Sequence, residues 1–407
     1  MKQYYLSKFE RDFSIASIWI DGGSNMDKGG KRGLNHLLCT LLTRGCDGFD
    51  NFAFSNFIES YGAELNHEVF EDGITISFKS LNCYFNKIYP LIDLVINKPT
   101  LSEIQFQIVK NLTINSIKKE KENPFNACFN NWKRIVYLSH PYAFNSIGYE
   151  EDILNITYED VLLEYKNFKR RKKYLISNNL EIKAEELKYQ NHSDIHHCKK
   201  ELYFIKNELS REKRFISTYK ESNQIILMIG NQTCPRESND HFPLKVLESH
   251  LSYGMSSTLF KKFRENNGIT YDVGVFNSVR KLNAPFLIYL SVANNKALIA
   301  FQILCNIWNK LLFSLISDKE ISLAKEKLKS SYLISNQSLD DILQRKIQLI
   351  SYGINPNTYE DHLSEINKVS SVDILNVANK YFAKPFLSLT GEKGTCLDLK
   401  NQWINNF

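Results

Sequence analysis

Two segments half a chain apart carry one pattern, and that repeat limits what this chain can fold into. ILNITYEDVLLEYKNF (residues 153–168) and INKVSSVDILNVANKYF (366–382) align with Ile156 on Val369, an offset of 213 positions. The same offset pairs Ile153 with Ile366, Thr157 with Ser370, Asp160 with Asp373, Val161 with Ile374, Leu162 with Leu375 and Phe168 with Tyr381. In each copy a hydroxyl residue precedes an aspartate by three positions, and apolar residues follow at helical spacing. That is the signature of a capping box: the hydroxyl accepts from an early helix N–H, and the acid accepts from the cap's own N–H. Each copy then runs into a β-like stretch, KKYLISNN or KPFLSLTG. Two such copies at a common offset imply two related halves.

A length of 407 residues is too long for one ordinary core and fits two domains. The division is expected as a first domain over 1–190, a linker over 191–204 and a second domain over 205–407. The linker region is polar and holds His192, His196, His197 and Cys198. A flexible connection is its plainer reading, because a structural zinc site commonly brings two pairs of ligands and only one cluster is visible. Within the halves, FSIASIWID (13–21), GITISFKSL (73–81), QIILMIGN (224–231) and FLIYLSVA (286–293) read as strands. KRGLNHLLCTLL (31–42), NFAFSNFIESYG (51–62) and the long apolar NKALIAFQILCNIWNKLLFSLI (295–316) read as helices. No Gly-rich phosphate loop or strict strand–helix alternation supports a doubly wound parallel sheet. The expected class is therefore α+β, two homologous domains that each pack helices on a largely antiparallel sheet.

The balance of 51 basic against 45 acidic residues is mildly basic. The block NFKRRKKY (167–174) reads as a solvated helix end whose cations complement the macrodipole. With no nucleic-acid reader motif beside it, no nucleic-acid or membrane partner is expected. The eight cysteines are scattered without a C-x-x-C pair, which suits free thiols in a reducing compartment. The charged N-terminal stretch lacks the apolar core of a signal peptide, and no run approaches a membrane span of ~20 residues. A cytoplasmic protein is expected.

GLNHLLCTLLTRG (33–45) resembles half of a zinc site. An inverted zinc-peptidase motif, H-x-x-E-H, places two histidines on one helix face at i and i+4, with a glutamate beside the second to take a proton from zinc-bound water. Here His36 is present, Cys39 stands at the glutamate and Thr40 at the second histidine. GGSNMDKGGKRGLNHLLCTLLTRG (22–45) is similar to the first-domain signature of the insulinase/pitrilysin family of inverted zinc peptidases, matching at Gly23, Ser24, Gly33, His36 and Gly45. At the family's spacing the third ligand falls on or next to Ser116 in NLTINSIKKEKENP, with Glu120 one turn further on. Three of the four functional positions are thus replaced. Apart from the resemblance, His36 reads as a partly buried helix histidine. A metal on His36 and Cys39 would need a third ligand, and a thiolate at Cys39 activated by His36 lacks an orienting group and an oxyanion hole.

The resemblance continues through LSYGMSSTLFKKFRENNGITYDVG (251–274), at Met255, Ser256, Ser257, Leu259, Phe260, Arg264, Gly268 and Tyr271. Ser256 or Ser257 is expected to cap a helix running to about residue 266, which Asn267 and Gly268 end before a strand. In the family, an arginine and a tyrosine at the spacing of Arg264 and Tyr271 bind the substrate near the scissile bond and help stabilise the tetrahedral intermediate. Read from the residues alone, Arg264 caps a helix end and Tyr271 fills a core. The resemblance implies α+β domains forming half of a clam-shell. It further implies a division of labour seen in some members, in which one chain holds the zinc and its partner supplies the Arg/Tyr pair. On that footing the chain is expected to be a non-catalytic, substrate-positioning subunit without its own cofactor. Its partners would be a peptide and a homologous subunit that carries zinc on an intact H-x-x-E-H. A scaffolding protein without proteolytic role and an atypical stand-alone metallopeptidase are the alternatives.

Overall fold

The computed structural model describes residues 2–5, 12–179, 185–186, 209–265, 267–270, 272–354, 356 and 359–406; for 2–5, 185–186 and 359–362 it describes the backbone alone. The expected linker 191–204, with its histidines and Cys198, lies outside the described residues, as does Tyr271. The chain forms two compact units. The first comprises Met1–Lys119, Phe144–His197 and Ser335–Asn357, the second Glu120–Ala143, Cys198–Ile334 and Thr358–Phe407.

The sheet of the first unit contains β1 (Lys2–Tyr5), β2 (Phe13–Asp21), β3 (Glu64–Val69), β4 (Gly73–Leu81), β5 (Lys173–Ser177) and β6 (Glu185–Glu186), in the order β3-β4-β2-β5-β1-β6. The second sheet contains β7 (Phe215–Tyr219), β8 (Gln224–Gln232), β9 (Asp272–Asn277), β10 (Pro285–Ala293) and β11 (Phe386–Gly391), in the order β7-β11-β8-β10-β9. Read from β3 and from β9, the two orders coincide over five strands. The senses coincide too: three antiparallel pairings, then one parallel pairing, β5 with β1 and β11 with β7. Both capping boxes are present, Thr157 with Asp160 and Ser370 with Asp373. Advancing β5 by the same 213 positions gives 386–390, within β11. The α+β class with largely antiparallel sheets follows as the repeat required.

Helices α1 (Leu34–Leu42), α2 (Asn51–Ser60), α3 (Asn82–Asn97), α4 (Glu103–Glu122), α5 (Pro124–Tyr137), α6 (Glu150–Asn155) and α7 (Tyr158–Arg170) belong to the first copy of the repeat. To the second belong α8 (His241–Ser252), the single turn α9 (Thr258–Phe260), α10 (Ala297–Phe313), α11 (Asp318–Ser335), α12 (Leu339–Ser351), α13 (Tyr359–Lys368), α14 (Ser371–Phe382) and α15 (Lys393–Asn406). In space the copies trade one helix. α5 lies in the second unit against β8 and β11, while α12 lies in the first against β2 and β5. The exchange explains why β2 is buried on both faces and does not alternate. Ala16, Ile18 and Ile20 face one core, while Ile15 and Trp19 face the other way, onto Leu339, Leu343, Ile347 and Ile350.

The basic block behaves as a helix end. Lys173 Nζ donates to the carbonyls of Phe168 and Lys169 (both 2.9 Å) and of Arg171 (3.2 Å) at the end of α7. Among the described residues, no single helix is long and apolar enough to cross a membrane. α10 and α11 pass that test only jointly with the short turn before them, and they bend by 104° at the break.

Candidate functional site

The entry to α1 is held by one carboxylate. Asp27 accepts from the N–H groups of Gly33 (2.8 Å) and Asn35 (3.0 Å) and from the Asn35 side-chain amide (2.7 Å). Burial pushes its carboxyl up to about 6 against these bonds, which pull it down. The flanking glycines are steric requirements. Gly33 starts the helix at φ +92°, where a Cβ would lie 2.5 Å from the carbonyl oxygen of Ile147, and a Cβ on Gly23 would lie 1.8 Å from that of Phe70. Arg171 donates to the Gly22 carbonyl (2.6 Å) and pairs with Glu164, which fixes the same turn. The scaffold of the motif is therefore intact.

The side chains it presents are not those of a metal site. His36 and Thr40, at i and i+4, are half-buried on one face of α1. Burial above all, with a contribution from neighbouring His67, holds the His36 imidazole down at about 4, so it is neutral at pH 7. His67 comes from β3, and the sequence reading missed it. The available signal was alternation in ELNHEV, which turns Leu65, His67 and Val69 to the covered face. The Thr40 hydroxyl lies 3.3 Å from His67 Nε2, the Thr43 hydroxyl lies 3.5 Å from His67 Nδ1, and Thr43 also donates to the Thr40 carbonyl (2.9 Å). Cys39 is fully buried in the apolar core, its thiol pushed up by desolvation, so it is neither a ligand nor a nucleophile here. Ser116 is exposed on α4 and donates back to the Leu112 carbonyl (3.0 Å). Glu120 accepts from Asn130 (3.4 Å) within the second unit.

These donors do not fit zinc. His36 and His67 offer two neutral imidazoles, but both nitrogens of His67 already face threonine hydroxyls. Among the described residues no group of three His, Cys, Asp or Glu side chains converges as a metal site would need.

In the second unit, Ser257 occupies the cap position before α9, but its hydroxyl makes no cap bond and is buried without a partner. The helix expected to run to about residue 266 is differently wound: one α turn, then a π turn over Lys261–Glu265. Such π turns are rare and frequent at functional sites. Gly268, at φ +54°, donates its N–H to the Arg264 carbonyl (3.0 Å) and ends the turn as expected, and β9 follows at Asp272. Arg264 is exposed, its guanidinium 4.5 Å from the centre of the Phe260 ring, a contact that limits its rotamers.

The chain is similar to known proteins over most of its length. Residues 5–147 match the family described as insulinase (peptidase family M16), and residues 174–328 match the peptidase M16 inactive domain. A Bacillus subtilis protein described as the uncharacterized zinc protease YmxG is 21% identical over 393 residues, 93% of this chain and 92% of its own length. An uncharacterized zinc protease of Rickettsia felis is 21% identical over 372 residues, 89% of this chain and 88% of its own. Among solved structures, a peptidase M16 inactive domain from Pseudomonas fluorescens superposes with a TM-score of 0.77 at 20% identity, covering 94% of each chain. A protease from Helicobacter pylori superposes at 0.78 with 16% identity, covering 93% of this chain and 94% of its own. At those identities the structures speak for the fold, and the sequence matches in both copies of the repeat supply the family. The chain belongs to the insulinase family of peptidases, peptidase family M16.

Proposed function

We propose that this chain is the non-catalytic, substrate-positioning subunit of a heterodimeric zinc metallopeptidase that acts on peptides in the cytoplasm. A homologous partner subunit with an intact H-x-x-E-H carries the zinc and activates the water. One observation carries the reading. The backbone scaffold of the zinc motif is kept in detail, by Gly23, Gly33 and the Asp27 bonds, while Cys39, Thr40 and Ser116 stand where the family has its base and ligands. A motif scaffold held without metal-binding side chains fits a chain that works beside a metal-bearing one. Arg264 is an always-charged, exposed donor suited to a carbonyl oxygen gaining negative charge, with Tyr271 as its companion. Free thiols at all seven described cysteines agree with a reducing compartment.

The test is reconstitution with an H-x-x-E-H subunit from the same organism. The mixture is expected to cleave peptides that neither chain cleaves alone. Arg264→Ala is expected to lower kcat by roughly 10²–10³, the usual cost of losing one oxyanion donor. Peptide cleavage at an unchanged rate with both Arg264→Ala and Tyr271→Phe would remove the positioning role.

A further inference from the structure

We propose that the face of the second unit around Arg264 binds acidic peptide segments, so that the substrate class of this subunit is peptides rich in Asp and Glu; this rests on the peptide-positioning role above. The stretch of chain that contains this face is the basic one. Residues 255–335 hold eleven Lys and Arg against five Asp and Glu, which equals the net +6 of the whole chain and leaves the remainder balanced at 40 to 40. The π turn presents Lys261, Lys262 and Arg264, all exposed. The His250 ring, 3.0 Å from the Thr258 hydroxyl, ties α8 to α9; burial lowers its proton affinity, Glu320 opposes this, and Lys310 and Lys327 add to it. Lys261 in turn lies close enough to Lys327 to lower its proton affinity, after the larger effect of burial. Some lysines elsewhere are paired, as Lys118 is with Glu150, Lys245 with Glu248 and Lys380 with Asp240. Among the described residues, Lys261, Lys262, Lys310 and Lys327 have no carboxylate at salt-bridge distance.

One acid, Glu320, acts electrostatically on His250 and Lys310 and is also tied to its own helix. Glu320 accepts from the Ser317 hydroxyl (2.6 Å) and N–H (3.2 Å), which caps α11. Basic groups that outnumber the acids beside them, Glu265 and Glu320, favour an anion that brings several negative groups at once. Exposed apolar side chains accompany the cations: Leu323 lies one turn before Lys327 on α11, and Phe313 follows Lys310 by three positions on α10. A chain that alternates carboxylates with apolar side chains matches both features, whereas a phosphate backbone matches only the charge.

Binding to the full chain alone, without a partner, tests this by fluorescence anisotropy on peptides of one length whose Glu residues are retained, changed to Gln or changed to Lys. The Glu peptide is expected to bind roughly tenfold or more tightly than the Gln peptide at low salt, with the advantage shrinking as salt screens it. Lys261→Glu/Lys327→Glu and, independently, Lys262→Glu/Lys310→Glu are expected to abolish the advantage, with unchanged melting temperature. Equal affinity for Glu and Gln peptides, or an advantage that survives both double variants, overturns the proposal. So does a single-stranded oligonucleotide of equal charge that binds as tightly and is lost in the same variants, since the face would then be a general polyanion site. Because the readout is binding to this chain, its failure leaves the reconstitution assay standing, and the converse holds.

Discussion

Expressed as its two sequence halves, 1–190 and 205–407, the protein is expected to give two unstable products. The reason is the traded helix. Without α12, the sheet face formed by Ile15, Trp19 and Ile176 is left bare of Leu339, Leu343, Ile347 and Ile350, all now fully or nearly buried. Trp19 also loses the edge of Tyr352, whose ring centre lies 6.3 Å away. At roughly 1.5–3 kcal/mol for each large apolar side chain, that cluster contributes on the order of 10 kcal/mol. A typical domain has a net stability of about 5–15 kcal/mol, so the half chain has little left. Circular dichroism melts of 1–190 alone, and of 1–190 supplied with a peptide of residues 335–357, make the comparison. The peptide is expected to restore a cooperative transition. A sharp melt of 1–190 alone near the temperature of the intact chain would mean that α12 is a passenger. In the intact chain, Leu343→Ala is expected to cost about 2–5 kcal/mol.

At the start of α1 two titrations oppose one another. Asp27 has a folded pKa of about 6 against an ordinary 3.8, so its contribution is unaffected below pH 4 and becomes destabilising as pH rises towards 6. His36 has a folded pKa of about 4 against 6.5, so its contribution is fully present above pH 6.5 and is lost as pH falls towards 4. Each is worth at most about 3 kcal/mol, because water reaches part of both side chains. The two nearly cancel in the native protein. Removing one exposes the other: relative to the native chain, Asp27→Asn is expected to gain stability from pH 4 to 6.5, and His36→Gln to lose it. Urea midpoints at both ends of that range read the slopes. Two variants that both run parallel to the native chain would show that neither group is buried as described.

What could be read from the sequence followed from local chemistry. The capping boxes at Thr157 and Ser370 are local bonds, and their offset fixed the position of β5 against β11 before any strand pairing was known. The strands at 13–21 and 73–81 matched to the residue, since β-branched apolar runs bounded by turn residues leave little choice. The helix trade was not legible, because α5 and α12 are amphipathic whichever sheet they cover, and hydrophobic periodicity names a face without naming its partner. His67 stayed hidden for a related reason: nothing in ELNHEV says that it meets Thr40 and Thr43 across space. The π turn at Lys261–Glu265 has no composition of its own, and KKFRE reads as an ordinary helix.

The proposed role requires a chain that holds the frame of an insulinase-family peptidase site and binds no metal there. Metal analysis of the purified chain, paired with a peptide-cleavage assay with and without chelator, tests it most directly. Zinc far below one atom per chain, and no cleavage that chelator abolishes, are the expected results. One zinc per chain, together with chelator-sensitive hydrolysis in the absence of any other subunit, would contradict it.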